Sequence, residues 1–287
     1  MKPPLFDYAS PETIADAVSA LSSNPGAMVL AGGQSLVPAM NFRLASPSVL
    51  VDLQRIPDLD TISIGDGVIR VGAMVRHRDL ELDDAVHAVH PLIREVMAHV
   101  AHIPIRNRGT VVGSLCHADA AAEMPLLLVL TDGAVKAVGP NGERIIAARD
   151  LFQFHMTTTR EPDEVVTQAH FPVPAPGAGL AFDEFARRHG DYAIAAIGAL
   201  VEKDAAGAVS RIALAACGIG DRPARLAASE AALVGTRLTD ADLDAAVRAA
   251  QDEITAPDDM HATNAYRKHL TGALIKRVVA LAASRAK

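Results

Sequence analysis

Tryptophan is absent from this chain, and phenylalanine and tyrosine together leave an aromatic fraction of only 3%. With so few rings there is no platform on which successive nucleobases would stack. Basic residues are in deficit as well: 27 lysines and arginines face 34 aspartates and glutamates, a formal net charge of −7. No basic cluster interrupts that balance, which argues against general nucleic-acid binding, because such binding rests on neutralising phosphates. Two cysteines, Cys116 and Cys217, cannot build a disulfide framework or ligate an iron–sulfur cluster. The 11 histidines are scattered; His87, His90 and His99 read as a polar helix face, and no metal ligand is expected. No apolar run reaches the ~18 residues of a membrane span. The opening MKPPLFDYASPET lacks the charged-then-apolar pattern of a secretory signal, so a cytoplasmic, reducing location is the expectation.

What remains is a chain of 287 residues, 50% hydrophobic and rich in alanine, long enough for two or three packed units. Neither a Rossmann fingerprint nor a Walker A lysine motif occurs in it. The most informative stretch is Met28 to Arg43. A short apolar run, Met28-Val29-Leu30, breaks at Ala31-Gly32-Gly33, and Gln34-Ser35 lead into Leu36, Val37, Met40 and Leu44. The pattern predicts strand, glycine turn and short helix. Such a turn suits a phosphate, since glycines let the backbone approach and consecutive N–H groups share one concavity. The Ser35 hydroxyl and the helix start would add donors. No lysine or arginine lies between Met28 and Phe42, so an anion here would be held by backbone dipoles. For this stretch alone, an ordinary strand-to-helix turn is the competing reading.

Around it the first unit, to about residue 57, reads as α/β. Ser10 and Pro11 open a helix with an apolar face at Ile14, Ala17, Val18 and Leu21, and Asn24-Pro25-Gly26 ends it. Val49 to Leu53 reads as a buried strand. From about Thr61 short alternating strands begin with a hairpin at Gly65-Asp66-Gly67, and His77 to Val100 reads as helix in two pieces broken at Pro91. A second loop follows, Gly109-Thr110-Val111-Val112-Gly113-Ser114, with two hydroxyls that could meet phosphate or ribose. Asp119 and Glu123 lie one helical turn apart and would share a face; carboxylates so placed grip sugar hydroxyls, or merely cap a helix. Arg106 and Arg108 would balance those acids or an anion, or lie solvated. Another hairpin at Gly139-Pro140-Asn141-Gly142 and a strand Val165–Phe171 lead to Pro172-Val173-Pro174-Ala175-Pro176-Gly177, the best domain boundary. Beyond it come strands near Leu180–Phe185, Ile194–Val201 and Arg211–Gly218. Alanine-rich helices close the chain, one capped by Thr239 or Asp240, the last spanning about Tyr266 to Ala283.

Two glycine loops on different units suggest one extended nucleotide clamped between them. With Ala31-Gly-Gly-Gln-Ser-Leu-Val-Pro38, Ile105-Arg-Asn-Arg-Gly-Thr-Val-Val-Gly-Ser114, His117-Ala-Asp119 and Gly190-Asp-Tyr-Ala193 in this order, the chain resembles the FAD-binding medium subunit of the molybdenum hydroxylases. That group includes aerobic carbon monoxide dehydrogenase, xanthine dehydrogenase and quinoline oxidoreductase. The resemblance implies an α+β fold: a vanillyl-alcohol-oxidase-type (PCMH) FAD domain over residues 1–176, with subdomains of about 1–57 and 58–176. Residues 177–287 would form a C-terminal domain of three antiparallel strands and a helical bundle. It implies that Gly32, Gly33, Gln34, Ser35 and Leu36 line the FAD diphosphate. Thr110, Gly113 and Ser114 would give further phosphate and ribityl contacts, Glu123 and Asp119 would meet sugar hydroxyls, and Tyr192 would lie against the isoalloxazine. No catalytic residue of the chain itself is implied.

The implied partners are a small subunit with [2Fe–2S] clusters and a large molybdopterin subunit, in a dimer of heterotrimers. Gln34, where carbon monoxide relatives often carry histidine, points toward an aromatic N-heterocycle as substrate of the complex. Two departures stand out. The family usually reads T-I-G-G at the second loop, and here Val112 replaces the first glycine; a positive φ at that position would strain it. Near Thr158 the chain has Phe154-His155-Met156 where many relatives carry G-P-Y, a change at the pocket over the flavin. The rival readings are a self-sufficient flavin oxidoreductase of the same domain type and a non-catalytic nucleotide-binding assembly module.

Overall fold

The computed structural model describes residues 2–256 and 258–287. The first sheet is small and parallel: β1 (Asp7–Ala9), β2 (Met28–Leu30) and β3 (Val49–Asp52), in the order β1-β3-β2. Helix α1 (Ile14–Ser23) buries Ala17, Val18 and Leu21 under it. Its N-cap is Thr13, whose hydroxyl accepts from the Asp16 N–H, and not Ser10 as the sequence suggested. Pro11 therefore lies outside the helix; a hydroxyl that reaches the third helical amide outcompetes it as the start signal. After β2 the glycine turn runs into α2 (Leu36–Asn41).

The second sheet is antiparallel and five-stranded, β4-β5-β10-β6-β7. Its members are β4 (Ile62–Gly65), β5 (Val68–Gly72), β6 (Ala134–Gly139), β7 (Gly142–Ala147) and β10 (Val165–Pro172). The long excursion between β5 and β6 is helical: α3 (His77–Leu82), α4 (Asp84–Val89), α5 (Leu92–Met97), α6 (Ile103–Arg106), α7 (Val111–His117) and α8 (Glu123–Leu130). The stretch His77 to Val100 thus breaks twice, at Asp83 as well as Pro91, because the Asp83 carboxylate caps α4 by accepting from the Val86 N–H. His90, read as part of a polar face, is fully buried. A short helix α9 (Ala148–Leu151) and a two-stranded hairpin, β8 (Phe152–Phe154) with β9 (Thr157–Thr158), precede β10.

Every residue of α8 is buried, as expected of a helix that is apolar all round after its first residue, Glu123. It packs between the second sheet's unit and a third sheet, β11-β12-β13-β14. These strands are β11 (Gly179–Phe185), β12 (Ala195–Lys203), β13 (Val209–Cys217) and the two-residue β14 (Ala224–Arg225), one strand more than the sequence indicated. The alternation of a strand divides this sheet between two cores. Leu180, Phe182, Ala196, Leu200, Ala213 and Ala215 join the core of the N-terminal part. Ala181, Ile197, Ala199, Val201, Ile212 and Leu214 instead pack with α10 (Ala227–Leu233), α11 (Asp240–Glu253) and α12 (Asn264–Arg285). Thr239 caps α11, with Asp242 completing a capping box. Among the described residues no helix is long and apolar enough to cross a membrane.

Candidate cofactor-binding site

The glycine turn after β2 leaves its donors free. Among the described residues, none of the backbone N–H groups from Gly32 to Leu36 has an acceptor in the chain. Unpaired amides are rare inside proteins, and here five in succession sit on a half-exposed turn. Gly33 has φ +71°, which is what lets the turn curl. Ser35 precedes α2 without capping it, and its hydroxyl has no partner among the described residues. Gln34 folds back, its side-chain amide donating to the Gly32 carbonyl at 3.3 Å.

Gly32 brings the two loops together. A Cβ built on it would lie 2.6 Å from the Arg108 carbonyl oxygen, 2.6 Å from Gly109 Cα and 2.8 Å from Thr110 N. The turn after β2 and the segment before α7 are therefore in backbone contact. From beneath, residues 75–77 pin that segment: the His77 N–H donates to the Gly109 carbonyl (3.0 Å) and the Val111 N–H to the Val75 carbonyl (3.1 Å). The Arg76 guanidinium donates to the Arg108 carbonyl.

Beyond Thr110 the chain is helix rather than loop. Thr110 is the N-cap of α7, its hydroxyl accepting from the Gly113 N–H at 3.1 Å, and the Ser114 N–H bonds the Thr110 carbonyl. The amides of Gly113 and Ser114 are engaged, while those of Thr110 and Val112 have no acceptor among the described residues. Val112 is helical, buried and not among the positive-φ residues, so the strain raised by its replacing glycine does not arise. Thr110→Ala is expected to lower stability by about 1 kcal/mol through loss of this cap, with Thr110→Ser near wild type; chemical denaturation checks both.

Asp119 and Glu123 do not share a helical face. Asp119 lies in the turn between α7 and α8, its carboxylate accepting from the Ala121 N–H, and Glu123 is the first residue of α8. Both are buried. Burial, reinforced by the charge of Glu184, pushes the Glu123 carboxyl up to about 8. Arg106 balances neither acid. It is buried against Glu81, with Nε 3.0 Å from Oε2, and donates to the carbonyls of Val100 and Ala101; Arg108 is exposed.

Backbone contacts tie these acids to Tyr192. The Gly218 N–H donates to the Ala120 carbonyl at 2.8 Å, and Gly218 backs directly onto the carbonyls of Ala193 and Ile194. Buried Arg267 of α12 clasps the Ile194 and Gly218 carbonyls from the other side. Tyr192 is 53% exposed, not a core tyrosine. The β8–β9 tip abuts the same place, the Met156 N–H bonding the Ala118 carbonyl and the Ala120 N–H bonding His155 Nδ1, with Phe154 and Met156 exposed. Sequence reading missed Glu184, buried opposite Glu123. Its signal was present: in Leu180-x-Phe182-x-Glu184 the acid occupies an inward position of an alternating strand.

A parallel three-stranded unit, an antiparallel five-stranded one and a sheet-plus-helices unit behind them make a two-domain flavoprotein of a non-Rossmann type. Residues 4–174 match the family described as the FAD binding domain in molybdopterin dehydrogenase, and residues 180–282 match the CO dehydrogenase flavoprotein C-terminal domain. The chain belongs to this family of molybdenum hydroxylase FAD subunits, as an oxidoreductase flavoprotein subunit. It is 38% identical to the 6-hydroxypseudooxynicotine dehydrogenase complex subunit alpha of Paenarthrobacter nicotinovorans, covering 100% of this chain and 97% of that one. Identity is also 38% to the carbon monoxide dehydrogenase medium chain of Afipia carboxidovorans, with 100% of both chains covered. The structure superposes with TM-score 0.97, at 33% identity and full coverage of both chains, on a carbon monoxide dehydrogenase of Hydrogenophaga pseudoflava that lacks the Mo-pyranopterin moiety of its molybdenum cofactor.

Proposed function

We propose that this chain is the electron-transfer subunit of a heteromeric molybdenum hydroxylase, with a FAD-binding domain at 1–176 and a C-terminal domain at 177–287. In this reading FAD's diphosphate lies on the free amides of Gly32, Gly33, Gln34, Ser35 and Leu36. Thr110, Gly113 and Ser114 flank it from α7. Asp119 and Glu123 meet ribityl or sugar hydroxyls, and exposed Tyr192 covers the isoalloxazine. The observation that carries the reading is the run of five unpaired amides turned against the Thr110 segment at Gly32. A dianionic diphosphate is the ligand such a concavity fits without a cationic side chain. Glu123 fits as well, because a buried carboxyl without a cationic partner gains from a hydroxyl brought to it.

Bound FAD supplies chemistry that no side chain here can, exchanging electrons singly or in pairs. The chain's own residues orient it, exclude water around Glu123, and leave the Tyr192 edge open. The proposed partners are a small subunit whose [2Fe–2S] clusters deliver electrons and a large molybdopterin subunit that oxidises the substrate, assembled as a dimer of heterotrimers. Equal identity to subunits of a carbon monoxide dehydrogenase and of a 6-hydroxypseudooxynicotine dehydrogenase leaves the substrate to be set by the molybdenum-bearing partner. Purification of the native complex should yield FAD, iron and molybdenum with two further chains. A yellow chain that turns over alone would favour a self-sufficient oxidoreductase, and a colourless one that refuses FAD an assembly module.

Ser35→Ala gives a clean test of the diphosphate placement. The hydroxyl makes no bond among the described residues, so stability should stay within about 0.5 kcal/mol of wild type. FAD affinity should fall about tenfold, the worth of one hydrogen bond to a charged group. Unchanged affinity in a flavin-binding titration would move the diphosphate elsewhere.

A further inference from the structure

Behind the candidate site, acids and histidines from both parts of the chain gather in a way that cofactor contacts do not account for. The Glu184 side chain, at the end of β11, is 5% exposed; its Oε1 lies 3.1 Å from His99 Nδ1. Its Oε2 is buried with no hydrogen-bond partner among the described residues. His99 follows α5 and is half-buried. Its ring meets Phe182 edge-on at 5.1 Å and lies parallel to the ring of His189 at 6.5 Å, which in turn lies parallel to that of His102 at 6.3 Å. His189 and His102 are exposed. From solvent inward the order is His102 and His189, then His99, then Glu184.

Buried Glu123 lies at the inner end, and the charges of Glu184 and Asp119 oppose its ionisation while His99 favours it. The other titratable groups facing the cluster are Asp183, Tyr192, Cys217 and His117, the last lowered by burial, which the Asp119 charge opposes. Asp183 is paired with Arg277 at 2.8 Å, Cys217 is a buried thiol pushed well above its usual range, and Tyr192 presents an exposed ring. No lysine or arginine among the described residues pairs with Glu184, Glu123 or Asp119. Glu184 is thus a buried acid whose one cationic contact is a histidine that reaches toward solvent.

We propose that Glu184 and His99 hold and exchange a proton for the cofactor pocket, so that when bound FAD gains an electron pair this cluster takes up solvent protons along the histidine row. The proposal rests on the FAD reading above. The electron pair comes from the reductant. The protons come from water and end as O–H on a carboxyl or N–H on an imidazole, and no heavy-atom bond is made or broken. The cause is electrostatic: added negative charge nearby favours the protonated form of each carboxyl and of the imidazole, and burial keeps that coupling unscreened. Burial and its acidic neighbours place the Glu123 carboxyl at about 8, and the Glu184 carboxylate raises His99.

The test is a proton count. FAD-loaded protein is reduced electrochemically through a mediator in weakly buffered indicator solution, at a series of pH values across the His99 transition that Glu184 raises, and free FAD is run beside it. Wild type should take up more protons per electron pair than free FAD, and its midpoint potential should fall more steeply with pH. His99→Gln and Glu184→Gln should lose the excess while keeping their flavin; His99, half-exposed, supplies the variant that folds should Glu184→Gln fail to. A wild-type count equal to that of free FAD, or an excess that survives in His99→Gln, overturns the proposal and reduces the cluster to a structural ion pair. Failure of the FAD reading would register earlier, as protein without flavin.

Discussion

Gly32→Ala should give a folded protein that purifies nearly colourless, with FAD occupancy down at least tenfold. The added methyl would sit 2.6 Å from the Arg108 carbonyl oxygen and from Gly109 Cα, and 2.8 Å from Thr110 N. All three are backbone atoms, and the segment that carries them is held from beneath by Val75, Arg76 and His77. The turn after β2 must therefore retreat. Overpacking of this kind costs about 1–3 kcal/mol, tolerable for a chain of this size. Ligand geometry is less forgiving, because hydrogen bonds need separations of about 2.7–3.2 Å, and a displacement of the turn takes its five amides away from a diphosphate also held by the α7 side. Gly33→Ala provides the contrast. Gly33 has the positive φ, +71°, yet a Cβ there meets only side-chain atoms at 3.3 and 3.4 Å, so its cost is backbone strain of about 1 kcal/mol. Occupancy should fall further in Gly32→Ala than in Gly33→Ala, measured as released flavin per chain after denaturation. The reverse order would mean that the two loops do not close on one ligand.

That order could not be anticipated from the sequence, which shows two glycines side by side and nothing of what each faces. Sequence does register what is local. The turn after β2, the hairpins at Gly65-Asp66-Gly67 and at Gly139 to Gly142, and the alternation of β11, β12 and β13 follow from periodicity and turn residues, and all are present. Misreadings came where a side chain competes for the backbone. Thr13 displaces Ser10 as a cap, Asp83 divides a helix, and Thr110 turns a glycine loop into the start of α7. Partners distant in sequence were hidden altogether. Arg106 looked available for an anion until Glu81 was seen to hold it, and Glu184 became visible as a neighbour of Glu123 only once the third sheet packed on α8. The eleven candidate residues are nominated by motifs that resemble a family, whereas the cluster behind them is a product of tertiary packing.

Glu123→Gln should make the flavin-free chain more stable and, in the same variant, a poorer binder of FAD. In the folded chain burial and the charges of Glu184 and Asp119 raise the carboxyl from 4.5 to about 8. Between those values the folded state keeps a proton that the unfolded state has released. Unfolding therefore releases a proton, and stability falls as pH rises across the window, levelling off above the folded value. His99 acts in the same direction, since its folded value is raised above the unfolded 6.5 by Glu184, and the stability that pair contributes is lost as pH rises through the folded value. Glutamine is neutral at every pH and nearly isosteric with the protonated acid. The variant should match wild type near pH 4.5, exceed it by about 2–4 kcal/mol near pH 8, and retain only the shallower slope left by His99. Its carboxamide can still pair with a ribityl hydroxyl, but without the charge-assisted bond an ionised carboxylate makes to a donor, so FAD affinity should drop about tenfold in mildly alkaline buffer and less in acid. Thermal denaturation of apoprotein across pH, paired with flavin titration, separates the two effects. A variant no more stable than wild type near pH 8 would mean that Glu123 is already ionised in the folded chain, and that its burial is not what the cofactor hydroxyls relieve.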